Sequence, residues 1–144
     1  MYLIDTNVIS ELRKKNRANS GVKHFFKKAI KNDIKLYLSV ITIGELRRGV
    51  ELIRYRNDLE QASMLEQWLD TITRDYSDMI LDFTDLEAQV WGKLRVPHHE
   101  HSIDKQIAAT ALTNDLTLVT RNIDDFSGTG VELLNPFDPE LRKS

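Results

Sequence analysis

Four acidic residues stand where chemistry is most easily assembled: Asp5, Glu45, Asp104 and Asp125. Asp5 follows the apolar run Tyr2-Leu3-Ile4, and Asp125 lies beyond Leu116-Thr117-Leu118-Val119-Thr120 in Arg121-Asn122-Ile123-Asp124-Asp125-Phe126. If the runs are adjacent parallel strands, their carboxyl ends open on one crevice and the side chains meet there. Each acid also has a structural explanation. Asp5 can cap a following helix, and Glu45 completes a capping box, Thr42-Ile43-Gly44-Glu45. Asp104 sits in a first helical turn, and Asp124 and Asp125 are ordinary turn residues. Together they point elsewhere. No basic residue occurs within seven positions of Asp5, or between Lys105 and Arg121. Two carboxylates about 4 Å apart repel by roughly 4 kcal/mol at an effective dielectric near 20. Hard Mg²⁺ or Mn²⁺ relieves that repulsion, and a cation held by carboxylates is a tool for hydrolysing phosphodiesters.

The elements that must position these groups alternate. A strand is expected over 2–5, a helix near Asn7–Lys14, and a basic amphipathic helix over 20–31 with Val22, Phe25, Phe26, Ala29 and Ile30 inward. Ile34–Val40 reads as a strand, and Thr42 opens a helix carrying Glu45. Asn57-Asp58 begins another helix, with Leu59, Ala62, Leu65, Leu69 and Ile72 on its apolar face. Asp78–Phe83 reads as a strand, and the capping box Thr84-Asp85-Leu86-Glu87 starts a helix running to about Arg95. Ser102 caps the next helix, whose buried stripe is Ile103, Ile107, Ala108, Ala111 and Leu112. Leu116–Thr120 and Val131–Leu134 are the last strands. Strands separated by helices imply a central parallel sheet covered on both faces, an α/β fold of three layers.

A length of 144 residues fits one domain, 1–144. The absence of cysteine excludes a disulfide framework and a thiolate site, and suits a reducing cytoplasm. No apolar run approaches the roughly 20 residues of a membrane span. The net charge of −2 conceals two blocks. Residues 13–35 hold nine Lys/Arg against one acid, and 58–87 hold nine acids against one base. The basic block could track a phosphate backbone, or be a solvated helix face, since Lys23, Lys27, Lys31 and Lys35 fall four apart.

Leu3-Ile4-Asp5-Thr6-Asn7-Val8, Ile43-Gly44-Glu45-Leu46 with Gly49, Ile103-Asp104-Lys105-Gln106-Ile107-Ala108-Ala109, and Thr120-Arg121-Asn122 with Asp125-Phe126 occur in that order. They resemble the motifs of PIN-domain ribonucleases, specifically VapC-type toxins of toxin–antitoxin systems and their FitB-like branch. The resemblance spans residue 1 to about 135 and implies a PIN-like α/β/α fold and a metal-dependent endoribonuclease, with transfer RNA or another structured RNA as substrate. It implies Asp5 and Asp104 as principal ligands of Mg²⁺ or Mn²⁺, with Glu45 and Asp125 as third and fourth acids. Asp124 is the rival of Asp125. Thr6 or Asn7 would orient Asp5, and Thr120 and Asn122 would brace the far side. Arg47, Arg48, Lys14 and Lys15 are candidates for holding RNA. A homodimer and an antitoxin of VapB or FitA type are the implied partners, the antitoxin's tail folding into a groove.

One local departure is His98-His99-Glu100-His101, a candidate for zinc binding or for tuning pH response, at a spacing that matches no standard helix-borne zinc motif. Two other classes stay open. A phosphatase of haloacid-dehalogenase type needs Asp at position 7, which is Asn7, and a phosphorelay receiver needs an acidic pair after its first strand and Lys where Arg121 stands. The third is a catalytically silent scaffold that binds RNA or a protein.

Overall fold

The computed structural model describes residues 1–138. Five short strands, β1 (Tyr2–Ile4), β2 (Leu36–Ser39), β3 (Ile80–Leu81), β4 (Thr117–Val119) and β5 (Leu133–Leu134), form one sheet in the order β3-β2-β1-β4-β5. Every pairing is parallel, with Leu3 opposite Tyr37 on one side and Leu118 on the other. Between them run α1 (Thr6–Glu11), α2 (Ser20–Lys31), α3 (Val40–Tyr55), α4 (Leu59–Asp75), α5 (Asp85–Leu94) and α6 (Ser102–Thr113).

Successive side chains of a strand point to opposite faces, and here both faces are covered. Ile4 and Val119 enter a core with Val8, Ile9, Val22, Phe26, Leu46, Val50 and Leu69 from α1–α4. Their neighbours Leu3 and Leu118 enter a second core with Ile107, Ala108, Ala111 and Phe126. This alternation is why the strands read as unbroken apolar runs in sequence. Consecutive strands add outward to one side of β1 and then, with β4, to the other. The order therefore reverses at the β1–β4 junction, where side chains past the two strand ends face a common crevice.

Several elements depart from the sequence expectations. α1 stops at Glu11 and passes into a 3₁₀ segment, Leu12–Arg17, kinked at Lys15, whose φ is 53°. Strands β2, β3, β4 and β5 are shorter than the apolar runs that announce them. α3 begins at Val40, because Ser39 Oγ accepts from the Ile41 N–H at 3.0 Å and caps the helix three residues before Thr42. Glu45 consequently lies in the second turn and completes no capping box. Ile30 (75% exposed) and Ile103 (42%) fall outside the stripes assigned to them. α6 is preceded by His101 in the left-handed region, with Ser102 as its first residue and not its cap. The capping box of α5 forms as expected, Glu87 Oε1 accepting from the Thr84 N–H at 2.7 Å.

Candidate active site

β1 delivers Asp5 to the reversal point and holds it there. Its N–H donates to Val119 O of β4 at 2.9 Å, continuing the strand pairing by one bond. Its side chain turns back as the N-cap of α1, Oδ1 accepting from the Thr6 N–H at 2.8 Å. Oδ2 accepts from Thr120 Oγ1 at 2.7 Å and from Asn7 Nδ2 at 3.3 Å. The capping explanation of Asp5 is thus true and incomplete, since a carboxylate offers about four lone-pair positions and these bonds occupy three. Asp5 is only 3% exposed. Burial raises its carboxyl pKa, the hydrogen bonds from Thr120, Thr6 and Asn7 oppose the rise, and the charge of Asp125 adds to it.

The supporting residues form a short network. Asn7 Oδ1 accepts from the Arg121 N–H at 3.1 Å, so its amide ties α1 to the segment after β4. Asn122 contributes its backbone N–H to Thr120 Oγ1 at 3.1 Å. Thr6 orients Asp5 through its N–H, while its hydroxyl bonds to that of buried Thr42 on α3 at 3.2 Å. Thr42 had no place among the sequence candidates beyond its supposed cap; its position between Ile41 and Ile43 was the available signal.

The other acids come from three elements, and Asp104 feels the charges of Asp5, Asp125 and Glu45. Asp104 occupies the first turn of α6. Its carboxyl is pushed up to about 6 by burial first, then by Asp5 and Asp125, with His101 opposing and Glu45 adding to the rise. Asp125 lies on a 3₁₀ turn (Ile123–Phe126) that the buried Phe126 pins to the second core. Asp125 is half-buried and acts electrostatically on both Asp5 and Asp104; Asp124, on the same turn, is exposed. Glu45 is half-buried on α3. Of the histidine-rich run, only His101 reaches the group, its Nδ1 standing 3.7 Å from Asp104 Oδ2 and 4.0 Å from Asp125 Oδ1. His98 instead lies near Glu100, both exposed.

The basic candidates are more dispersed. Arg47 pairs with Glu51 and, across the α3–α4 interface, with Glu66, which also binds Arg54. Its charge is therefore already engaged. Lys14 pairs with Glu11 at 2.9 Å, whereas Arg48 and Lys15 are exposed. Closer to the acids, Arg121, Asn122, Ile123, Asp124, Asp125 and Asn135 line an open polar cleft of about 390 Å³. The Arg121 guanidinium lies over the Phe137 ring at 4.7 Å, a flat cationic platform at its edge. A second cleft, about 190 Å³ and mainly apolar, runs from Glu45 between α1, α3 and α4 past Leu46, Val50, Leu65 and Trp68.

The donor set fits a divalent cation. Among the described residues no Lys or Arg forms an ion pair with Asp5, Glu45, Asp104 or Asp125. The carboxyl of Asp104 is raised by burial first and then by the charges of Asp5 and Asp125. One imidazole nitrogen of His101 and one carboxylate oxygen each of Asp104 and Asp125 lie within 4.8 Å of one another, a group that Asp5 and Glu45 do not join.

Known proteins share this arrangement of elements. The family model for the PIN domain matches residues 2–131. Toxin FitB of Neisseria gonorrhoeae is 33% identical over 142 residues, covering 95% of this chain and 99% of that protein. VapC ribonuclease Y4jK of Sinorhizobium fredii is 30% identical over 146 residues, covering 96% and 99%. The structure of FitAcB from Neisseria gonorrhoeae superposes with a TM-score of 0.80 at 33% identity, over 95% of this chain and 99% of that one. VapBC2 from Rickettsia felis, solved with a fragment of promoter DNA, gives a TM-score of 0.69 at 25% identity, over 93% and 97%. By sequence and by fold, the chain belongs to the PIN-domain family, among its FitB- and VapC-like members.

Proposed function

We propose that this protein is a metal-dependent endoribonuclease, the toxin of a toxin–antitoxin pair, which hydrolyses RNA phosphodiester bonds with transfer RNA or another structured RNA as substrate. The observation that carries it is the electrostatic coupling of Asp104 to Asp5, Asp125 and Glu45, with no Lys or Arg paired to these acids among the described residues, beside the reversal of strand order. Family membership and similarity to a VapC ribonuclease supply the reaction class.

Asp5 and Asp104 would hold Mg²⁺ or Mn²⁺, Asp5 through the lone pair its three hydrogen bonds leave unused. When bound, the cation neutralises charge on the phosphate and makes a water acidic enough to attack at neutral pH. Thr120, Asn7 and the Thr6 N–H fix the Asp5 carboxylate so that nothing reorganises as charge develops. Glu45 or Asp125 orients the attacking water and takes its proton. The new P–O bond forms opposite the breaking P–O3′ bond, and the departing 3′ oxygen gains a proton. Products carry a 5′-phosphate and a 3′-hydroxyl, and the 2′-hydroxyl takes no part. Arg121 on Phe137, with Arg48 and Lys15, supplies the surface for phosphates and unstacked bases of a single-stranded loop.

The partners belong to the same proposal. An antitoxin of FitA or VapB type lays an apolar segment in the cleft between α1, α3 and α4 and reaches the acids with an arginine. Two copies of the chain form a homodimer; the exposed Tyr55, Leu59 and Met64 are apolar surface available for contact. None of the helices among the described residues is long and apolar enough to cross a membrane. The test is cleavage of a total-RNA pool with Mg²⁺ or Mn²⁺ and then EDTA, by wild type, Asp5→Ala and Asp104→Ala. Discrete, metal-dependent fragments lost in both variants are expected. Cleavage unchanged in both would overturn the assignment.

A further inference from the structure

We propose that His101 is a nitrogen ligand of the same divalent cation, which makes this a mixed nitrogen–oxygen site and not an all-carboxylate one. The inference rests on the metal-site assignment above and adds a residue that the four acids do not include.

The distances carry it. His101 Nδ1 is 3.7 Å from Asp104 Oδ2 and 4.0 Å from Asp125 Oδ1, too far for a hydrogen bond to either. Two donors each about 2.1 Å from one ion are separated by about 3.0 Å at right angles and about 4.2 Å when opposite. Both separations fall inside that window. All three donor atoms lie within 4.8 Å of one another, so small side-chain rotations bring them onto a single centre. Ligation through Nδ1 leaves the proton on Nε2.

The loop is held where this requires it. The His101 carbonyl accepts from the Lys105 N–H at 2.9 Å, and the Lys105 ammonium, itself nearly buried, donates to the His98 carbonyl. Trp91 Nε1 donates to the Ser102 carbonyl at 3.0 Å. Bonds on both sides of His101 therefore anchor the segment, while His98 and His99 project outward. An imidazole donor shifts preference along the divalent series toward Mn²⁺, Co²⁺ and Zn²⁺ and away from Mg²⁺.

The test uses the full chain without RNA, with sub-stoichiometric Mn²⁺ and pulsed electron spin-echo detection of nitrogen bound to the ion. Wild type is expected to show a directly coordinated ¹⁴N, and histidine-specific ¹⁵N labelling to shift its modulation, a readout that needs no substitution. The signal should survive His98→Gln with His99→Gln and vanish in His101→Asn, chosen because asparagine tolerates the left-handed backbone at this position (φ 55°). His101→Asn should weaken Mn²⁺ by about tenfold or more, at least the loss that follows removal of an outer-shell partner, and Mg²⁺ much less. Bound Mn²⁺ with no coupled nitrogen, or coupling that persists in His101→Asn, would overturn this proposal and leave the nuclease assignment standing. Failure of wild type to bind either Mn²⁺ or Mg²⁺ would overturn both.

Discussion

Replacing Asp104 with Asn should stabilise the metal-free protein while removing its activity. The Asp104 carboxyl titrates near 3.8 when unperturbed and at about 6 in the fold. A folded-state pKa raised above the unfolded one gives a contribution that is fully present below the unfolded pKa and lost as pH rises through the folded value. At pH 7 the wild type therefore carries the whole cost of ionising a partly buried carboxyl beside Asp5 and Asp125, burial being the larger cause, and near pH 4 almost none. The shift corresponds to about 3 kcal/mol at about 1.36 kcal/mol per unit, and to about 1.5 kcal/mol once solvent screening of a side chain still 26% exposed is allowed for. With about 2–4 °C per kcal/mol for a chain of this size, Asp104→Asn should melt about 3–6 °C above wild type in EDTA at pH 7. That advantage should shrink toward zero as the pH is lowered from 7 to 4. Saturating Mn²⁺ should reverse the order, because a ligand at 100 times its Kd stabilises only the protein that binds it, by about 2.7 kcal/mol. Urea and thermal unfolding across pH 4–8, with and without Mn²⁺, read all of this. An Asp104→Asn protein no more stable than wild type in EDTA at pH 7, or an advantage independent of pH, would refute the argument from burial and repulsion together.

Three further outcomes are expected. Asp125→Asn should lower single-turnover cleavage by at least about a hundredfold, in the range for loss of a group acting on the reacting water, while Asp124→Asn stays within about twofold. Asp125→Asn cleavage within about twofold of wild type would remove Asp125 from the site. Thr120→Val keeps the shape of the side chain but deletes the 2.7 Å bond to buried Asp5, so it should destabilise the fold by about 1–3 kcal/mol and weaken Mn²⁺ about tenfold. Urea unfolding and a Mn²⁺ titration read the two effects separately. Thr84→Ala breaks the capping box of α5 and should cost about 1 kcal/mol in unfolding free energy with no change in Mn²⁺ affinity.

The layered fold was legible in the sequence because its central strands are buried on both faces. Leu3 and Ile4 enter different cores, yet both must be apolar, and the run announces the strand. Boundaries were less legible where a side chain decides them. Val40 and Ile41 read as strand until the Ser39 hydroxyl bonds the Ile41 N–H and starts α3 early. Ile30 and Ile103 adjoin buried positions on their helices but sit just past the edge of a narrow apolar stripe, which periodicity alone does not resolve. The acids were marked by their positions after apolar runs or in first helical turns, and the choice of Asp125 over Asp124 came from the resemblance, in which the acid stands directly before the aromatic residue as Asp125 stands before Phe126. The partners of Asp5 entered through the resemblance and not through spacing. Thr120 is 115 positions away, and only the β1–β4 pairing brings its hydroxyl to the carboxylate. His101 was visible as one of three histidines, but the left-handed backbone that separates it from His98 and His99 arises from how the loop joins α6.

The central claim is hydrolysis by an activated water at these carboxylates, and one measurement addresses it most directly. An RNA containing a site mapped from the total-RNA digest is synthesised with a single 2′-deoxy nucleotide on the 5′ side of the cleaved bond, and its single-turnover cleavage in Mn²⁺ is compared with the all-ribose RNA. Water attack predicts cleavage of both at comparable rates, with 5′-phosphate and 3′-hydroxyl ends, and none from Asp104→Ala. A block by the 2′-deoxy substitution, with a 2′,3′-cyclic phosphate on the natural RNA, would make the 2′-hydroxyl the nucleophile and contradict the account.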